Sequence, residues 1–176
     1  AKYSKIYDTR EVIIDYQVTG YGDAINASFI EYYVDGSLFS TDKAIDAGKY
    51  KAVITVPASK DGNWKKTQYT FEFEISKATI ELSYSDSFGY VGKKAEYTLE
   101  TNDQFKNGET LKLNFTLSND VAGIYKYSEY QVTPLIYTLF VISSEGLNVT
   151  SNYYILITEI KIENTGSVVV PAPVKL

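Results

Sequence analysis

The chain has 176 residues, 44% of them apolar and 15% aromatic, with no Cys, no His and a formal charge of −5. That apolar fraction is too high for a disordered chain, while the missing Cys and His exclude disulfides, thiolate or imidazole metal sites, and Ser-His-Asp or Cys-His nucleophiles. The 17 basic and 22 acidic residues are interspersed, so no basic face suited to nucleic acid is visible, and no apolar run approaches the roughly 18 residues of a membrane-crossing helix.

Taken in chain order, the first half reads as strands near 6–7, 11–18, 28–34, 49–56 and 68–75, each bounded by turn residues. Asp35-Gly36 is a hairpin signal, because both central residues of a tight two-residue turn must accept positive φ, and it should lead into a short run at Leu38-Phe39. Tyr50, Ala52, Ile54 and Val56 alternate with Lys49, Lys51 and Thr55, with Val53 the one apolar intruder. Beyond the turn Asp61-Gly62-Asn63, the residues Tyr69, Phe71, Phe73 and Ile75 alternate with Thr70, Glu72 and Glu74. Successive strand side chains point to opposite faces, which makes the Tyr50/Ile54/Val56 and Tyr69/Phe71/Phe73/Ile75 sets the expected core of the first half.

The second half reads as strands near 79–84, 94–99, 110–117, 131–142 and 153–162. Leu111, Leu113, Phe115 and Leu117 alternate with polar residues, as do Ile160 and Ile162, and these two sets should share a second core. A 3.6-residue apolar period is hardly sustained anywhere, so helices should be few and short. Gly48-Lys49-Tyr50 and Gly123-Ile124-Tyr125 mark the same point of a repeated plan. A repeat of about 80 residues built from short strands implies tandem β-sandwich modules.

Several motifs resemble bacterial immunoglobulin-like repeats of the MBG/YDG type. Tyr32-Tyr33-Val34-Asp35-Gly36, Asp46-Ala47-Gly48-Lys49-Tyr50 and the link Lys77-Ala78-Thr79-Ile80 are similar to the MBG type, and Val149-Thr150-Ser151-Asn152-Tyr153 ahead of a final strand is similar to YDG repeats. The resemblance spans about 1–165 and is strongest at 32–78 and 123–162. Tyr7-Asp8-Thr9 departs from it, standing where the family often has Tyr-Asp-Gly, and residues 126–133 are extra. It implies an all-β chain of two tandem immunoglobulin-like β-sandwich modules, 1–77 and 78–165, followed by an extended tail, 166–176, carrying Pro171-Ala172-Pro173. It also implies an interior piece of a longer exported polypeptide, extracellular or on the bacterial cell surface.

Candidate chemistry is sparse. Glu72 and Glu74 share one strand face, as a solvated face would. Asp61-Gly62-Asn63 and Asn102-Asp103 fall short of a calcium ligand set and serve as turns. Tyr21-Gly22 and the 88–92 stretch lack the Lys and helix of a phosphate loop. Asn-x-Ser/Thr sites occur at Asn26, Asn114 and Asn148. Aromatic residues remain. Trp64, flanked by Asn63 and Lys65, could stack on a sugar, with Tyr32 and Tyr153 as further candidates, since one ring of each Tyr32-Tyr33 and Tyr153-Tyr154 pair must leave its own core. The plain alternative is that these rings pack in the fold or cover its surface.

The expectation is a non-catalytic structural spacer or adhesin segment with no cofactor and no metal. Its partners would be the neighbouring modules of the same polypeptide and, for an adhesin, a glycan or host surface protein. A carbohydrate-binding module using exposed aromatics, or an accessory domain of a large extracellular enzyme, are the rival readings.

Overall fold

The computed structural model describes residues 3–20, 23–88, 96–101, 105, 108–117, 123–127, 135–164 and 166. Among the described residues, ten strands and two short 3-10 turns account for the regular structure, so the chain is mostly β. None of the described helical segments is long and apolar enough to cross a membrane. The chain divides into two compact units, Ala1–Ala78 with Ser151–Tyr153, and Thr79–Thr150 with Tyr154–Leu176. Strand patterning places the boundary between 77 and 78 and gives no sign that Ser151–Tyr153 belongs with the first unit.

In the first unit, β1 (Tyr3–Ile6), β2 (Phe29–Val34), β3 (Gly48–Val56) and β4 (Thr67–Ser76) form one sheet in the order β1-β4-β3-β2. The β1–β4 pair is parallel and the others are antiparallel. One face carries the core, in which Tyr32, Tyr50, Ala52, Phe73 and Ile75 pack with Tyr7, Val12 and Ala44 from irregular segments. Phe73 anchors it, stacked on Tyr50 at 5.1 Å and edge-on to Tyr32 at 6.2 Å.

The first unit departs from the expectations of strand patterning in several places. Residues 11–18 form no strand, although Val12 is buried and Ile13 exposed. Val12 N–H donates to Ala44 O at 2.9 Å, but alternation fixes only which side chains face inward and cannot supply a ladder partner. Among the described residues the segment over this sheet is coil, so the first unit shows one sheet with a cover. Asp35 and Gly36 do adopt positive φ, 49° and 75°, with Ser37 N–H closing the turn onto Val34 O at 2.9 Å. Leu38 and Phe39, however, bulge out almost fully exposed instead of forming a strand, and the chain rejoins β2 only at the Tyr32–Thr41 bridge. Tyr69 and Phe71 have the inward parity yet stay exposed, and Ile54 and Val56 are half-buried, because the core layer covers only the half of the β3–β4 hairpin nearer Phe73. The first strand also falls at Tyr3–Ile6, earlier than 6–7.

Two motifs acquire backbone reasons. Thr9 has φ 67°, a left-handed conformation in which a β-branched residue is strained and glycine is not; this is the position where the resembling family has Gly. Around it, Tyr7 is buried and Asp8 accepts from Lys5 Nζ at 2.7 Å and from Arg10 N–H at 3.0 Å. Lys5 accordingly holds the Asp8 carboxyl below its usual pKa. In Asp46-Ala47-Gly48-Lys49-Tyr50, the Tyr50 hydroxyl donates back to Asp46 O at 2.9 Å. A Cβ on Gly48 would lie 2.6 Å from Val34 Cγ2. Asn152, buried within this unit, accepts from Ala47 N–H at 2.7 Å and donates to Asp46 Oδ1 at 2.8 Å.

In the second unit, β5 (Ala78–Phe88), β10 (Tyr153–Asn164) and β8 (Gly123–Tyr127) form a sheet in the order β5-β10-β8, and β6 (Glu96–Thr101), β7 (Thr110–Leu117) and β9 (Leu135–Ile142) a second in the order β6-β7-β9. Leu82, Ile160 and Ile162 of the first sheet bury against Leu111 and Leu113 of the second, so both sheets feed one core. Gly123-Ile124-Tyr125 opens β8, as Gly48-Lys49-Tyr50 opens β3, and pairs with β10. The side chains of Phe115 and Leu117, residues 131–134 and the tail from 167 lie outside the described residues.

Candidate functional site

The β3–β4 hairpin ends in a loop, 57–66, whose geometry is set by short polar side chains. Ser59 N–H donates to Trp64 O at 3.1 Å, Gly62 N–H to Ser59 O at 3.1 Å, and Trp64 N–H to Ser59 Oγ at 3.0 Å. Gly62 takes φ 76°, which favours glycine. Asp61 fills the remaining space: Oδ1 accepts from the Ser59 hydroxyl and from Asn63 N–H at 3.0 Å, and Oδ2 from Asn63 Nδ2 at 2.6 Å. The Ser59 hydrogen bond foremost, then those from Asn63, hold the Asp61 carboxyl below its ordinary pKa. Both carboxylate oxygens are thus engaged in building the turn. Among the described residues no cluster of three or more Asp or Glu could hold a metal ion.

This frame clamps the Trp64 backbone through both its N–H and its C=O while leaving the side chain 53% exposed. Lys60, Lys65 and Lys66 lie in the same loop, all exposed. Down β4 from the loop, the inward-facing positions run from Tyr69, 63% exposed, through Phe71, 43%, to Phe73, 3%, with Phe71 stacked against Phe73 at 6.1 Å. One row of rings on one sheet face therefore emerges from the core into solvent towards the Trp64 end.

The five residues singled out by sequence do not meet in one place. Trp64, Asn63 and Lys65 share the loop, with Asn63 engaged by Asp61. Tyr32 is in the core, where burial pushes its hydroxyl pKa up. Tyr153 packs against the same core, edge-on to Tyr7 at 5.3 Å, and it is Tyr154 that points outward. Sequence reasoning passes over Tyr69 and Phe71 as part of this surface. The lysines were legible as neighbours of Trp64; the rings were not, since their alternation marks them as core.

On the opposite face of the same sheet, Lys49 lies across from Glu74 and Lys51 from Glu72. Opposite charges facing across a ladder stabilise the pair and leave little net field.

The second unit carries a matching turn. Ser143 N–H donates to Leu147 O at 2.9 Å, Gly146 N–H to Ser143 O at 2.9 Å and Leu147 N–H to Ser143 Oγ at 3.2 Å. Gly146 has φ 83° and Leu147 is exposed at the tip. The same Ser-x-x-Gly device thus presents an apolar side chain in both units, Trp64 with three lysines in one, Leu147 beside Ser144 and Glu145 in the other. No family model, curated protein or solved structure matches the chain.

Proposed function

We propose that the chain is a non-catalytic spacer or adhesin segment of a bacterial surface or secreted protein, made of tandem immunoglobulin-like modules related to the MBG/YDG type. The observation that carries this reading is the presence in series of two compact units, each with its own core and each with the same serine–glycine turn. The motif residues behind the resemblance support it, because Gly48, Tyr50 and Asn152 each meet a local requirement of the Asp46-Ala47-Gly48 turn. The two sheets sharing a core in the second unit suit the immunoglobulin-like class; the first unit, with one sheet and a coil cover, is a reduced version. Units of this kind act mechanically, holding a distal element away from the cell.

Exchanging both units in the parent polypeptide for an unrelated rigid pair of equal length should leave the remainder's function unchanged. Loss of that function, with the replacement folded and exported, would overturn the spacer reading.

A second reading, a carbohydrate-binding module, is favoured by one observation: Trp64 stands exposed on a hydrogen-bonded frame instead of stapling the loop to the sheet.

A further inference from the structure

We infer that the Trp64 end of the β3–β4 hairpin is a binding platform for an acidic glycan, a saccharide bearing carboxylate or sulfate groups. This deepens the carbohydrate-binding reading and rests on it, and it names a ligand class that reading leaves open.

The first support is the ring row. Phe71 and Tyr69 stand at alternate positions on one face of β4, which puts them about 6.5–7 Å apart along the strand. Exposure rises along that face from Phe73 to Phe71 to Tyr69, and Trp64 stands beyond them in the loop. Flat rings offered in sequence suit the apolar faces of successive sugar units, and Tyr and Trp add a polar edge for hydroxyls.

Charge is the second support. Lys60, Lys65 and Lys66 crowd one loop of a chain whose formal charge is −5. None of the three makes an ion pair among the described residues, and Asp61, the acid within the loop, has both carboxylate oxygens turned inward onto Ser59 and Asn63. The tip is therefore locally positive on an acidic protein, and it selects an anion.

Rigidity is the third. Ser59 fixes the Trp64 backbone from both sides, so little ordering entropy remains to oppose binding. The second unit's turn has the same frame but presents Leu147 with no adjacent lysine, so any exposed apolar surface beside it lacks the positive charge. Single-stranded nucleic acid also combines stacking with negative charge. The lysines, however, sit at one tip and form no groove along which a phosphate backbone could run.

The test is titration of the whole chain with dextran, carboxymethyl-dextran, dextran sulfate and hyaluronan, monitored by Trp64 fluorescence and calorimetry, with polyacrylate and oligo-dT as non-sugar polyanions. At least one acidic polysaccharide should bind tenfold or more tightly than dextran, weaken with salt, and shift the Trp64 emission. Trp64→Ala and Tyr69→Ser should each lose tenfold or more. Replacing Lys60, Lys65 and Lys66 together by Gln should bring the acidic polymer down to the level of dextran. Leu147→Ala should change nothing. Dextran bound as tightly as its acidic derivatives, with dependence on Trp64, would overturn the acidic class while keeping the carbohydrate reading. No polysaccharide bound, polyacrylate or oligo-dT bound at least as well, or self-association of the chain abolished by Trp64→Ala would overturn both.

Discussion

The turns at Ser59–Trp64 and Ser143–Leu147 are built alike and end differently. In each, a serine hydroxyl and backbone close a loop over a left-handed glycine, and an apolar residue is left at the tip. The first turn leads into an exposed run, 65–72, with Tyr69 and Phe71 in solvent. The second leads into the 3-10 turn Thr150–Asn152, which ends in an asparagine that is 1% exposed and bonded to the Asp46-Ala47 turn within the first unit. One local design thus opens once onto a bare surface and once onto a keystone. The difference lies in the partners that the next residues find, not in the turn.

The largest effect is expected at the keystone. Asn152→Ala should cost about 1–2 kcal/mol in denaturant unfolding, because it empties a buried site, strands the half-buried Ala47 N–H and removes the partner of Asp46. Asn63→Ala, within the first turn, should cost well under about 1 kcal/mol, as an exposed site. Equal losses would break the contrast.

Next come the serines. Ser59→Ala should cost roughly 1–2 kcal/mol, since Ser59 is buried and serves both Trp64 N–H and Asp61, whereas Ser143→Ala, half-buried and bonded to backbone alone, should cost about 0.5–1 kcal/mol. A strain control away from both turns is Thr9→Gly. Relief of the positive φ should raise stability by up to about 1 kcal/mol, and a loss would show that the Thr9 hydroxyl matters more than its backbone.

Acid should separate the turns as well. The Asp61 carboxyl has a lowered pKa in the fold, so its contribution is present above its ordinary value of 3.8 and is lost as pH falls below that value and the group protonates. Trp64 emission should change in that acid range before global unfolding and stay constant in an Asp61→Asn variant; the Ser143 turn, held without a carboxylate, should be unaffected. At the alkaline end, the Tyr50 hydroxyl is pushed up to about 12 by burial, then by Asp46 and Asp35. Stability should therefore decline from about pH 10, the ordinary phenol value, towards 12. The smallest effects belong to the tips: Trp64→Ala and Leu147→Ala should each stay within about 0.5 kcal/mol, and a larger loss for Trp64 would mean that its ring holds the loop.

Much of the strand content was legible because period-2 alternation is a local consequence of backbone geometry. β3, β4, β7 and β10 fall close to where the alternation places them, and Leu111, Leu113, Ile160 and Ile162 are buried as expected. The Asp35-Gly36 turn was legible for the same reason, since positive φ is a property of two residues. The candidate site was legible in part: Trp64 and Lys65 by type, Asn63 by proximity. Tyr69 and Phe71 were misread because the same alternation describes a ring facing a core and a ring facing nothing.

The sequence alone determined the all-β class, the absence of thiol and imidazole chemistry, and the turns whose glycines the backbone demands. Tertiary structure alone decided that residues 11–18 lie as coil over a single sheet, that the cover stops short of Phe71, and that Asn152 serves a turn more than a hundred residues earlier, as its bonds to Asp46 and Ala47 show. The physical reason is range. Dihedral preference and side-chain alternation are settled among neighbours, whereas burial and hydrogen-bond partners depend on which distant segment arrives, and that is a property of the folded chain as a whole.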